Sequence, residues 1–179
     1  KMPAIKGWND FCVNKPTKEQ IEQWGLTFND SNIALTTGAA SGIAVIDVDT
    51  NDAELLEVLR ANLPSSPIER VGSKGFARFF KWNNVSKTET VKMNGEVIFE
   101  VLADNKKITI PPSIHPNGME YVWVGPSLLD IDKNDLPTLP PNCAGNLNSV
   151  LSALYGVDAV SHKGKVSSMT NGRTDALVK

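Results

Sequence analysis

The run "GIAVIDVD" carries two aspartates, Asp47 and Asp49, at the end of a continuous apolar stretch that begins at Ile43. In a β-strand, side chains two apart leave on the same face, roughly 6.5–7 Å from one another along the strand. Carboxylates at the tip of a buried strand cost desolvation energy unless positive charge meets them, and a pair also repels itself. Hard cations such as Mg2+ or Mn2+ answer both problems, because they take oxygen ligands. A pair of such ions about 3.5–4 Å apart activates an attacking hydroxyl and stabilises a leaving pyrophosphate. The alternative is local: Asp49 caps a following helix and Asp47 faces water.

Three further stretches bear on that choice. Glu100 sits inside "VIFEVL", between Ile98–Phe99 and Val101–Leu102. A charge among apolar strand residues needs a partner, which makes Glu100 a candidate third metal ligand or else a solvated edge residue. In "PPSIHPNG", Pro111 and Pro112 stiffen a loop that presents Ser113 and His115, a place where a phosphate or leaving group can be met. A lone histidine is more often structural. In "GSKG", Ser73 and Lys74 lie between glycines that let the backbone approach a ligand, although a simple turn explains the same pattern.

The elements that must position these residues can be read from spacing. "PTKEQIEQWGL" predicts a helix with a Thr17/Gln20 capping box. "IALTTG" and Ile43–Val48 read as strands, and "NDAELLEVLRANL" as a helix with Leu55, Leu56, Leu59 and Leu63 at helical spacing. "PSSPIERVGSKG" reads as a loop. "FARFFKW", "GEVIFEVL", "KKITI" and "MEYVWVG" read as strands. This order predicts an α+β fold with a mostly antiparallel sheet. "DLPTLPPN" reads as a linker or domain edge. Beyond it, Leu147, Val150, Leu151 and Leu154 share a helical face, and the polar stretch from Val160 onward is expected to be mobile.

The chain has 179 residues, 41% apolar and 21% charged, with a net charge of −2. That is enough for a substantial core, and no apolar run approaches the roughly 20 residues of a membrane span. The two cysteines, Cys12 and Cys143, with only two histidines, His115 and His162, suit neither a zinc site nor a disulfide framework, so a cytoplasmic setting is expected. The acidic balance does not advertise nucleic-acid binding, but a local basic groove is compatible with it.

Taken in order, "NIALTTGAASGIAVIDVD", "VGSKGFARFF", "VIFEVL" and "ITIPPSIHPNGMEYVW" resemble the primase-polymerase (Prim-Pol) branch of the archaeo-eukaryotic primase superfamily, over about Lys1 to Trp123. The resemblance implies an RRM-like sheet with helices on one side and a small additional subdomain. It implies template-directed nucleotide polymerisation with Mg2+ or Mn2+, on a DNA template and primer with nucleoside triphosphates. Asp47 and Asp49 match the first-motif metal ligands and Glu100 the third-motif acid, while Ser113 and His115 lie in the proline-proline-serine loop near the nucleotide. Many members carry a second-motif histidine that contacts the incoming nucleotide; here its position is Ala77. Ser73, Lys74, Arg78 and His115 remain as candidate nucleotide contacts. The family occurs in phage and plasmid replication proteins, often ahead of a helicase. The tail "NGRTDAL" is similar to the start of a helical C-terminal segment, so a catalytic domain over 1–136 and a linker plus helical segment over 137–179 are expected.

Two other readings compete with a polymerase or primase. A metal-dependent nuclease would use the same three acids. A catalytically inactive RRM-like module would bind single-stranded DNA, stacking bases on Phe76, Phe79, Phe80 or Trp82.

Overall fold

The computed structural model describes residues 4–85, 87–156 and 160–163, the last four by their backbone. A 3-10 turn (Trp8–Cys12) precedes helix α1 (Lys18–Thr27). Its capping box is formed: Gln20 N–H donates to Thr17 Oγ1 at 3.2 Å, and Thr17 N–H donates to Gln20 Oε1 at 2.8 Å. Strands β1 (Ile33–Thr37) and β2 (Ile43–Val48) follow, then helix α2 (Ala53–Asn62), β3 (Glu69–Val71), β4 (Phe76–Lys81), β5 (Glu89–Met93), β6 (Glu96–Leu102), β7 (Lys106–Ile110) and β8 (Val122–Val124). Helix α3 (Cys143–Tyr155) and strand β9 (Val160–Lys163) complete the described chain.

The fold is α+β. Seven strands form one sheet in the order β8-β3-β4-β2-β6-β5-β9, and β1 pairs with β7 in a separate ribbon. Every strand pairing is antiparallel. The alternation of β2 explains the layering. Ala44, Ile46 and Val48 point to one face and join Phe76, Phe80, Leu55 and Leu59, with Leu147 and Leu151 of α3, in the larger core. Ile43 and Val45 point to the other face and pack with Ala77, Phe79, Leu102 and Ile108, the last brought there by the ribbon. Helices α2 and α3 therefore cover one face of the sheet and the β1–β7 ribbon part of the other.

Several expectations are corrected. The stretch read as a loop after α2 contains β3, too short and too polar to show strand periodicity. "KKITI" is a strand, but of the ribbon rather than the main sheet. "MEYVWVG" contributes only Val122–Val124, and β5 was not anticipated. The stretch expected to be mobile from Val160 starts with β9, which pairs with β5; the remainder lies outside the described residues. Segment 137–142 is strapped to the end of β4, where Lys81 N–H donates to Pro137 O at 2.9 Å and Leu139 N–H donates to Lys81 O at 3.2 Å. Leu136 and Leu139 are buried, and α3 continues the same core.

Candidate active site

Direct cross-strand partners share a face of a sheet. Arg70 lies opposite Ala77, Ala77 opposite Asp47, and Asp47 opposite Glu100, so these four positions form one row across β3, β4, β2 and β6. The row lies on the face away from α2 and α3. Arg70 Nη2 donates to Asp47 Oδ1 at 3.1 Å. Burial is the main influence on Asp47 and pushes its carboxyl up to about 6; Arg70 opposes the rise, and the negative charges of Asp49 and Glu100 add to it.

Asp49 is exposed, and only its backbone is tied, its N–H donating to Ile98 O at 3.0 Å. The capping role is filled by Asp52, whose Oδ1 accepts the Leu55 N–H at 3.0 Å. The local explanation for Asp49 is therefore removed. Glu100 accepts a hydrogen bond from Thr90 Oγ1 at 3.0 Å and has Lys106 Nζ at 3.8 Å.

A cavity of about 410 Å3 opens beside this row, lined by the acids Asp47 and Asp49 and by four basic side chains, Arg70, Lys74, Lys107 and His115. Ser73 and Tyr121 complete the polar wall. The β3–β4 hairpin brings Lys74 and Ser73 there through a loop spanning 72–75. Gly75 has φ +49°, and a Cβ there would collide with Val48 O, so only glycine lets this loop press on the end of β2. Gly72 is needed for a second reason: its Cβ would stand 2.6 Å from the Tyr121 ring. Lys107 comes from β7, the ribbon strand.

The proline loop is held from below. Asn32 Nδ2 donates to Ile114 O at 2.7 Å and Ile114 N–H donates to Asn32 Oδ1 at 2.9 Å. His115 is thereby presented to the cavity, with Nδ1 2.7 Å from Asn117 Oδ1 and its ring edge-on to Tyr121 at 6.1 Å.

Of the sequence candidates, Asp47, Asp49, Ser73, Lys74 and His115 meet at the cavity. Glu100 stands next to Asp47 in the row but does not line the cavity. Ser113 does not reach it either: 1% exposed, it accepts the Ile33 N–H at 2.9 Å and locks the loop to β1. Arg78 points to the helical face, where it donates to Glu69 Oε2 at 3.1 Å and to the carbonyls of Leu63 and Pro64 at 3.3 and 3.1 Å. Strand alternation explains this, since Arg78 must face opposite to its neighbour Ala77. Phe76, Phe79 and Phe80 are fully buried, so they fill the cores and cannot stack bases.

Sequence reasoning missed Arg70, Lys107 and Tyr121. The signal for Arg70 lies in strand pairing and not in local pattern. Pairing across the 72–75 loop sets Val71 against Phe76 and Arg70 against Ala77, next to the position where the family places histidine. The place of Lys107 depends in turn on how the ribbon docks.

Among the described residues, no three His, Cys, Asp or Glu side chains are gathered into a metal cage. No curated protein matches the sequence. A family model does: bifunctional DNA primase/polymerase, N-terminal, matches residues 1–142. The chain belongs to the bifunctional DNA primase/polymerase family.

Proposed function

We propose that this chain catalyses template-directed nucleotidyl transfer, extending or initiating a strand on DNA with divalent metal, at the cavity beside β2. The observation that carries the reading is the arrangement of Asp47 and Asp49 against Arg70, Lys74, Lys107 and His115 in one cavity. Its volume of about 410 Å3 lies within the range of small-molecule sites. Acids alone would suggest a cation site and bases alone an anion site. Side by side, they suit a metal-bound triphosphate.

The donor set fits Mg2+ or Mn2+. Mg2+ is commonly held by one or two carboxylates plus waters and substrate phosphates, so a cage of three protein ligands is not required. Asp47 and Asp49 would supply those carboxylates, and Glu100 adds negative charge beside Asp47. Metal bound there would supply activation of the primer hydroxyl and neutralisation of the leaving pyrophosphate. Lys74, Lys107 and His115 would bind and orient the phosphates, while Ser73 and the glycine-flanked backbone allow close approach. The proline loop adds little ordering cost, because Asn32 and Ser113 already fix it. The family's occurrence in phage and plasmid replication proteins, often ahead of a helicase, supports such a setting for this chain, with a helicase domain as companion.

The test is incorporation of labelled nucleotide on a primed template with Mn2+ or Mg2+. Synthesis by the wild type and its loss in Asp47→Ala and Asp49→Ala support the reading. Shortening of a labelled strand without incorporation would favour the nuclease instead. Nucleic-acid binding without either would favour an inactive module.

A further inference from the structure

Arg70 reaches Asp47 across an intervening strand. Arg70 is on β3, Asp47 is on β2, and β4 lies between them, with Ala77 directly in the row. Adjacent strands stand roughly 4.8 Å apart, so the guanidinium must pass over residue 77 to make its 3.1 Å contact. A methyl group leaves that path open; a larger side chain on the same face would fill it. The presence of alanine and the reach of Arg70 are thus one arrangement.

The guanidinium is only partly used. Its side chain is 7% exposed and carries the 3.1 Å bond to Asp47. It lies over the Tyr121 ring at 4.8 Å, and its buried Nε has no hydrogen-bond partner among the described residues. Arginine presents five N–H donors in a planar fork that matches carboxylate and phosphate alike. This buried cation lines the same cavity as Lys74, Lys107 and His115. Asp47 therefore has two claimants, the guanidinium and any divalent cation.

We propose that Arg70 is a shared counter-ion: it holds Asp47 until a divalent cation takes that carboxylate, and then binds the phosphates of the incoming nucleoside triphosphate. The proposal rests on reading the cavity as a metal–triphosphate site. It makes Arg70 a competitor of the metal when no nucleotide is present and an ally of the nucleotide when metal is bound. A residue that merely maintained the fold would not act in opposite directions on the two ligands.

The experiment uses Arg70→Met, which keeps an apolar stem over Tyr121 and removes the charge. Mn2+ binding without nucleotide is read from the electron-spin resonance of free Mn2+. Affinity for non-hydrolysable ATP and dATP analogues is then measured at saturating Mn2+. The expected result is Mn2+ affinity about threefold or more tighter and nucleotide affinity about tenfold or more weaker. Should Arg70→Met fail to fold, Arg70→Lys, which keeps the charge but loses the fork, is expected to move both affinities in the same directions by smaller factors. Any other combination overturns the proposal, including both affinities weakened together or either one unchanged. A wild type that binds Mn2+ but neither analogue overturns the triphosphate reading itself. Failure of the counter-ion role alone appears as normal wild-type binding with the wrong response in the variants.

Discussion

Asp47 on β2 and Glu100 on β6 are direct cross-strand partners, so their side chains leave the sheet side by side on the face that α2 and α3 do not cover. That juxtaposition, with Asp49 two residues on, concentrates negative charge where, among the described residues, only Arg70 donates a charged hydrogen bond to Asp47. The two aspartates are therefore not equivalent.

Asp47→Ala and Asp49→Ala should each lower nucleotide incorporation by about two orders of magnitude or more at saturating Mn2+. Their stabilities should move apart. Removing Asp49 relieves repulsion on Asp47 and should raise metal-free stability by a few tenths of a kcal/mol, up to about 1. Removing Asp47 leaves the Arg70 guanidinium buried and unpaired, and should cost about 2–4 kcal/mol. Urea unfolding of both variants in EDTA checks the signs, and equal shifts would count against the assigned pairing.

Metal-free stability should depend on pH through Asp47. Its carboxyl is raised in the folded protein to about 6 from an ordinary 3.8, chiefly by burial. The folded state thus favours the protonated acid. The resulting stabilisation is full below about pH 3.8 and is lost as pH rises through about 6. The shift corresponds to at most about 3 kcal/mol, reduced to about 1–2 kcal/mol because the side chain is 30% exposed. Wild type compared with Asp47→Asn in EDTA, between pH 4 and pH 7, isolates this contribution. The wild type should lose that much more stability over the interval, and added Mn2+ should recover it at pH 7.

Lys74→Ala and His115→Ala should each weaken nucleoside triphosphate binding about three- to tenfold with little change in template affinity, since both line the cavity. Arg78→Ala should do the reverse. It removes a buried pair with Glu69 and the partners of the Leu63 and Pro64 carbonyls, so it should cost about 2–3 kcal/mol of stability. At a temperature where the variant is folded, its nucleotide dissociation constant should match wild type. Calorimetric titration of the three variants distinguishes the two behaviours.

Ser113→Ala tests the proline loop as a fastened element. The hydroxyl lies 2.9 Å from Ile33 N, and its loss leaves a backbone donor of β1 short of a partner. A cost of about 1–2 kcal/mol is expected, with a smaller effect on nucleotide binding than His115→Ala. A Ser113→Ala variant that matched His115→Ala in nucleotide binding, at unchanged stability, would place the serine at the ligand after all.

What was legible followed from period and polarity. The strand Ile43–Val48, the helix over 53–62 and the same-face aspartates all follow from local pattern, because alternation and helical spacing need no tertiary information. Glu100 was recognisable as a charge that an apolar strand must justify. What was not legible depended on pairing. Arg70 stands on a strand running only from Glu69 to Val71, which gives alternation no room to declare itself. Arg78 looked like a spare cation because its acid, Glu69, was hidden in the same short strand. Ser113 and His115 are two residues apart in one loop, and nothing local says that one faces β1 and the other the cavity.

The seating of α3 has a consequence for what steadies the acids from behind. Leu147 and Leu151 are fully buried in the core that also contains Ile46, Val48 and Phe99. Those three residues flank Asp47 and Glu100 along their strands, so α3 forms part of the bedrock under the acids without touching them. A chain cut after Asn142 would retain every residue named in the chemistry and still leave the back of β5 and β6 bare to water. The packing that steadies the acids thus reaches well beyond the residues named in the chemistry, to a helix that contributes no functional side chain.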